Sequence, residues 1–327
     1  QPNIDPYGKF DLSTQNEQLE RLIRLSNSVL DSTTRLLVWP ETALAGVSGF
    51  NEEQLYSYRS LDPLWNFLRA HPNITLFTGI ETYRIYPPEL KTSTSHKISD
   101  SKNYFDAFNS ATLLNASLIP TLPGGRSAGR SVVFYHKSRL VPGVEMLPTY
   151  LRFLDKWFES FGGTSGGYAG QENRTVLEDA GSGYKIAPAI CYESVYGEFL
   201  TAYIRNGANV IGIITNDGWW GNTPGYQQHN QYARLRAIET RRWVIRSANT
   251  GISCFVDPYG KLIDPQPWDT ATAIQHSVPA ETRLTFFVRQ GDLISKTAMG
   301  TAGILMFISI FPLRRKKRAG HEEKSAL

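Results

Sequence analysis

"KIAPAICYES", residues 185–194, is the stretch whose reading decides the fold. Its small and apolar side chains read as a strand, and the strand ends on Cys191, with Tyr-Glu-Ser following at once. The chain contains only one other cysteine. Two readings of Cys191 stand open at this point: filler at the end of a strand, or a nucleophile held at a sheet edge.

Outward from this stretch, similar apolar runs bounded by turn residues read as strands at 35–40, 74–83, 110–115, 131–137 and 209–215. Residues 243–263 read as two strands about Asn249-Thr250-Gly251, with a second turn at Asp257–Gly260. Helical patterns alternate with them at 13–31, capped by Ser13 or Thr14, and at 62–70, 195–207 and 230–243. Strands alternating with helices give an α/β protein whose sheets are covered by helices. The Pro/Ser/Thr-rich segment 84–103 reads as an exposed loop.

With 327 residues and 41% apolar content, the chain can bury a large core. Its formal net charge of +4 is carried entirely by residues 314–327, with Arg314, Arg315, Lys316, Lys317, Arg318 and Lys324 against Glu322 and Glu323. The body is therefore neutral, which argues against a nucleic-acid surface, because phosphate binding needs a positive field spread over a face. Two cysteines make no disulfide framework. No metal-ligand cluster, phosphate loop or dinucleotide motif is present, so no metal or cofactor is expected.

The C-terminal end differs in kind. Residues 297–313 carry no charge, and "RRKKR" follows directly. A helix of that length spans roughly 25 Å, near the short limit for a hydrocarbon core, and the cations read as a stop-transfer and positive-inside signal. The expectation is a domain over 1–290, a transmembrane helix over 293–313 and a basic cytoplasmic tail over 314–327.

A cysteine attacks acyl carbon as its thiolate, so a base must take the proton and donors must face the oxyanion. Histidine is the usual base, but most of His71, His96, His136, His229, His276 and His321 fall in expected loops or the tail. Two other charged residues sit at strand ends: Glu41 after "LLVWP" and Lys137 after "SVVFYH". Neighbouring strands ending in Glu, Lys and Cys would gather these side chains at one sheet edge. There Glu41 serves as base and later as acid, and the Lys137 ammonium stabilises thiolate and oxyanion. Glu145 and Glu193 are candidates for orienting the lysine and the incoming amine, and the main-chain N–H of Tyr192 is a second oxyanion donor.

"WPET" at 39–42, "YHKSRLVPGVEMLP" at 135–148 and "ICYES" at 190–194 resemble the Glu-Lys-Cys motifs of the nitrilase, or carbon–nitrogen hydrolase, superfamily. More narrowly, "QPNI" at the start and "TNDGWWGNTPGYQQHNQYARLRAIETRRWVIRSANTGIS" at 215–253 resemble the apolipoprotein N-acyltransferase family. The likeness covers roughly residues 1–313. It implies a four-layer α-β-β-α sandwich, followed by one membrane helix, on the periplasmic side of a bacterial inner membrane.

It also implies Glu41 as base, Lys137 as oxyanion stabiliser and Cys191 as nucleophile, with Glu145 and Glu193 matching two further family glutamates. The implied reaction moves an acyl chain from a phospholipid, typically phosphatidylethanolamine, through a cysteine thioester to the α-amine of a diacylglyceryl-cysteine apolipoprotein. The chain departs from the pattern in four places, one of them the loop 84–103, which looks like an insertion. "VPGVE" replaces Val-Pro-Phe-Gly-Glu, Phe10 stands where a tryptophan is common, and the membrane helices that precede this domain in the family are not in the sequence. The sequence is therefore expected to be a piece of a longer protein.

Trp219 and Trp220 are open between lining an acyl pocket, touching a lipid interface and packing in the core. The Gly-rich stretch 156–170 is open between a lid and a passive loop, and Cys254 reads as strand core. The alternative enzyme is an amidase, in which water resolves the thioester; it has no use for a terminal span.

Overall fold

The structure is a computed structural model describing residues 1–46, 49–120, 132–146 and 167–310. The chain divides into two units, Gln1–Arg289 and Gln290–Leu327.

The first unit holds two sheets. One contains β1 (Leu36–Val38), β2 (Phe50–Asn51), β3 (Thr75–Tyr86), β4 (His96–Lys97), β5 (Tyr104–Asn115) and β6 (Phe134–His136). Its path is β1-β3-β5-β4, with β2 joined to β3 and β6 to β5. β1 is parallel to β3, and β5 is antiparallel to both β3 and β6, so β1, β3 and β6 point the same way. The other sheet contains β7 (Leu177–Glu178), β8 (Lys185–Ile190), β9 (Val210–Thr215), β10 (Val244–Ala248), β11 (Cys254–Val256) and β12 (Leu262–Ile263) in spatial order 12-11-10-9-8-7. β8, β9 and β10 are mutually parallel.

Period-two alternation places the layers. On β3, Leu76 and Ile80 join a core with Leu19 and Leu22 of α1 (Gln15–Asn27) and Leu64 and Leu68 of α2 (Asp62–Ala70). Phe77, between them, points the other way, toward the second sheet, where it lies against Gly212 beside Ile186. That sheet's remaining face is covered by Leu200 and Ile204 of α3 (Gly197–Arg205) and by Ala233 and Ala237 of α4 (Pro224–Thr240). The result is helix, sheet, sheet, helix: the expected four-layer sandwich. β9 is buried at all six positions, which explains its uninterrupted apolar run. Each fully buried Leu or Ile contributes about 1.5–3 kcal/mol, so the two clusters outweigh any local propensity.

Two readings are corrected. Segment 84–103 is partly strand: β3 and β5 stay paired from Thr75↔Asn115 out to Tyr86↔Tyr104, and β4 adds to the far end of β5. "YFDAFN", which lay outside the strand as read, belongs to the ladder, and Asp106 and Phe108, two residues apart on the same face, are both buried. The fourth helix begins at Pro224, not near 230. Proline is suited to the first turn of a helix, and the Thr223 hydroxyl caps the N–H of Gly225.

In the second unit, α5 (Leu293–Ile310) is an 18-residue apolar helix with none of its residues buried. It is long and apolar enough to cross a membrane. The basic tail lies outside the described residues.

Candidate active site

Four strands end at the same edge of the sandwich, and each delivers a polar group. Glu41 follows β1, Lys137 follows β6, Cys191 follows β8 and Asn216 follows β9. The sequence placed the ends carrying Glu41, Lys137 and Cys191 on one sheet edge. The structure instead divides them between the two sheets and closes the site across the interface between them.

Glu41 is buried, and both of its carboxylate oxygens are engaged. Oε1 accepts from Asn109 Nδ2 at 2.8 Å and from Lys137 Nζ at 3.2 Å, and Oε2 accepts from the main-chain N–H of Asn216 at 3.1 Å. Room for this comes from Gly79 on β3. The segment Pro40–Thr42 lies so close that a Cβ on Gly79 would sit 2.5 Å from Thr42 N and 2.7 Å from Glu41 Cα. The Gly79 N–H donates to Pro40 O, and the Leu44 N–H donates to Gly79 O, fastening the turn over the strand.

Lys137 is 1% exposed. Its ammonium donates to Glu145 Oε1 at 2.7 Å as well as to Glu41. Burial pulls its pKa down, but the carboxylates of Glu41 and Glu145 outweigh it, so Lys137 stays well above the ordinary lysine value. Glu145 is in turn held by Asn109 Nδ2 at 3.1 Å and by the Val141 N–H at 2.8 Å. Asn109 thus bridges both glutamates from β5, the strand between β3 and β6.

Cys191 is half-buried and takes a left-handed backbone, φ +50°, which is strained for a side chain of this kind. Burial raises the thiol well above its usual range, and Glu41 adds to this, while Lys137 and a hydrogen bond from Thr215 pull the other way. The resting group is therefore a neutral thiol that needs a base. The strained turn is braced from beneath. A ring nitrogen of His229, Nε2, lies 3.0 Å from the Cys191 carbonyl and 2.8 Å from Ser194 Oγ. His229 Nδ1 lies 2.9 Å from Asp217 Oδ1, and Arg246 donates to Asp217 Oδ2 at 2.7 Å. Burial works against the Asp217 charge, yet Arg246 and His229 hold its pKa at about 2.

Glu193 is fully buried and does not spend its oxygens on the ammonium. Oε1 accepts from Tyr135 Oη at 2.6 Å, Ser138 N at 2.7 Å and Arg139 N at 3.1 Å, and Oε2 accepts from Ile190 N at 2.9 Å. It ties the chain after Lys137 to the strand before Cys191, and so orients both through the backbone. Tyr192 opens the first turn of the short helix Cys191–Val195, where main-chain N–H groups lack intrahelical acceptors; its ring stands edge-on to Tyr196.

Phe10, Trp219 and Trp220 are 38%, 44% and 40% exposed, which removes the core-packing reading of the two indoles. Trp219 meets Tyr7 edge-on, and Trp220 meets His229. Most of the Gly-rich stretch, 156–166, lies outside the described residues. Its described end is fixed to the site, with the Tyr168 N–H on Glu145 O at 2.8 Å.

Residues 1–285 match the carbon–nitrogen hydrolase family. The chain belongs to the carbon–nitrogen hydrolases. It is 32% identical to the apolipoprotein N-acyltransferase of Chlorobaculum tepidum over 94% of this chain and 56% of that one. It is 29% identical to the enzyme of the same name from Bradyrhizobium diazoefficiens over 93% of this chain and 52% of that one. The chain thus spans about half the length of these curated relatives. Among solved structures, the C. elegans NitFhit protein shares the fold at TM-score 0.50 and 16% identity, covering 80% of this chain and 56% of that one.

In this carbon–nitrogen hydrolase, sequence reasoning missed Asn109, which stands one residue before the strand as read from the apolar run. It also missed His229, which is buried on α4 and not in a loop. Both Asn216 and His229 fall inside the long 215–253 motif, but their roles depend on contacts the motif does not state. Arg241 and Arg242 lie past the end of α4, and Arg236 and Arg242 are buried donors to main-chain carbonyls.

Burial pushes Glu193 up to about 7, against the pull of Tyr135 and the backbone donors. A carboxyl whose folded pKa exceeds its unfolded value binds its proton more tightly when folded. Its stabilisation is full below the unfolded pKa near 4.5 and is lost as pH rises through about 7. The stability of the natural chain relative to Glu193→Gln is therefore expected to fall by about 3 kcal/mol across that window. Urea unfolding of both proteins across that range measures it, and a flat difference refutes the assignment.

Proposed function

We propose that the chain is the catalytic part of a membrane-anchored N-acyltransferase. It moves an acyl chain from a phospholipid, through a thioester on Cys191, to the N-terminal amine of a diacylglyceryl-cysteine apolipoprotein. The observation that carries the reading is the buried grouping of Glu41, Lys137 and Glu145 with the Cys191 thiol in electrostatic reach. The name shared by the curated relatives directs it to lipoprotein substrates.

In the first half-reaction the Glu41 carboxylate takes the thiol proton as sulfur bonds to the ester carbonyl carbon. Lys137 and the Tyr192 N–H face the oxyanion that forms. Collapse expels the lysophospholipid oxygen, which takes the proton from Glu41. In the second, the substrate amine attacks the thioester carbon and gives its proton to Glu41, which passes it to the departing sulfur. Glu145 and Glu193 hold Lys137 and the Cys191 turn in place for both halves. The exposed Phe10, Trp219 and Trp220 serve the acyl chain or the lipid surface, since indoles favour that interface.

Residues 1–290 form the catalytic domain on the periplasmic face, 293–313 cross the inner membrane, and 314–327 are a basic cytoplasmic tail. The full-length protein in detergent, given a phospholipid with a labelled acyl chain, is expected to carry label on Cys191 and to release it to a diacylglyceryl-cysteine peptide. Cys191→Ala and Glu41→Gln are expected to carry none. Absence of an acyl-enzyme in the unmutated protein, together with turnover of a small amide, would make it an amidase.

A further inference from the structure

A second lysine, outside the Glu-Lys-Cys grouping, reaches the catalytic turn. Lys9 is 1% exposed, and its ammonium donates to the main-chain carbonyl of Glu41 at 2.7 Å. The lysine's own carbonyl is held by the side-chain amides of Gln15 and Gln18, at 2.7 and 2.9 Å, so the N-terminal loop is strapped to α1. We infer that Lys9 is a positioning residue that holds the Glu41 turn and supplies a second buried cation beside it.

Two features support this. The residue after Glu41, Thr42, has a left-handed backbone at φ +46°, so the turn is strained and needs external holding. Its hydroxyl donates to the same Glu41 carbonyl at 2.9 Å, but a neutral hydroxyl adds no charge. The second feature is the charge balance of the cluster. Glu41, Glu81 and Glu145 are three carboxylates, and Lys137 alone leaves two of them uncompensated.

Glu81 lies on β3 near Lys9, with the Tyr168 hydroxyl donating to it; burial raises its pKa, while Tyr168 and Lys9 lower it. Lys9 itself is pulled down to about 8 by burial, against the opposing effect of Glu41 and Glu81. The groups facing this ammonium are therefore Glu41 on its own turn and Glu81 on β3. Tyr168, Glu145, Lys137 and Cys191 form the next ring of titratable groups. Lys9 consequently loses its charge at the alkaline edge of the working range, whereas an arginine in its place would not.

The inference rests on Glu41 being the base, and its test separates the two claims. Acyl-enzyme formation from labelled phospholipid is measured for the full-length protein and for Lys9→Met and Lys9→Arg, at several pH values from roughly 6 to 9.5. Thermal unfolding is recorded for each protein. Lys9→Met is expected to slow acylation about 100-fold with the phospholipid KM unchanged, as a displaced base does. Lys9→Arg is expected to restore most of the rate and to move the alkaline limb of the profile to higher pH. Should Lys9→Met not fold, the shift of that limb in Lys9→Arg decides alone.

Wild-type rates in Lys9→Met overturn the inference. So does a slow Lys9→Arg whose profile is unmoved, since that is the behaviour of a packing residue. If the unmutated protein forms no acyl-enzyme, the acyltransferase reading itself has failed and this inference falls with it.

Discussion

Lys137→Met is expected to lose acyl-enzyme formation by at least about 100- to 1000-fold, the effect of removing one oxyanion donor. It is also expected to destabilise the fold by about 3–5 kcal/mol. Both losses have one origin. The Lys137 ammonium lies 3.2 Å from Glu41 and 2.7 Å from Glu145, with all three side chains out of solvent. Methionine keeps the length and the packing but strands two carboxylates with only Asn109 and backbone donors. Because the folded lysine pKa is raised well above 10.5, its contribution is complete at every pH below the unfolded value and fades only in strong alkali. Urea unfolding near neutrality, beside the labelled-phospholipid assay, reads both effects. A stable Lys137→Met protein that still acylates at the natural rate would remove Lys137 from the chemistry.

Gly79→Ala is expected to be nearly as damaging, although it adds one methyl group far along the chain from Glu41, Lys137 and Cys191. The new carbon would stand 2.5 Å from Thr42 N, 2.7 Å from Glu41 Cα and 2.7 Å from Pro40 O. All three are backbone atoms and cannot rotate away, so the turn carrying Glu41 must lift off β3. Overpacking of this kind costs about 1–3 kcal/mol. A displacement of the proposed base, Glu41, by about 1 Å costs on the order of 100-fold in rate. The informative signature is a large drop in acylation in a protein that still unfolds cooperatively. Full activity in Gly79→Ala would show that the turn is far more compliant than its contacts imply.

The degree to which these features were legible in the sequence follows the range of the interactions. Helix α2 occupies the residues its pattern assigns, Asp62–Ala70, because its apolar spacing and Pro63 in the first turn are local signals. Strands β8 and β9 likewise follow from their unbroken apolar runs. Strand β5 was read too short, since Tyr104–Asn109 mixes polar and apolar residues and becomes strand only by pairing with β3. At the site, Glu41, Lys137 and Cys191 could be singled out because each ends an apolar run on a reactive group, and the structure brings the three together. Asn109 and Lys9 were not, because an asparagine in a strand and a lysine in a loop are ordinary until a partner is known.

By itself the sequence determined an α/β protein with helix-covered sheets, the strand ends that carry polar groups, and the apolar C-terminal helix, because burial and periodicity are written in neighbouring residues. Only the tertiary structure decided that the groups come from two different sheets. It also decided that Asn109 joins Glu41 to Glu145, that Asn216 reaches Glu41 from 175 positions away, and that Glu193 serves the backbone and not the ammonium. These are contacts between elements, fixed by the register and stacking of the sheets, and no local pattern encodes a hydrogen bond whose partner is supplied by another layer.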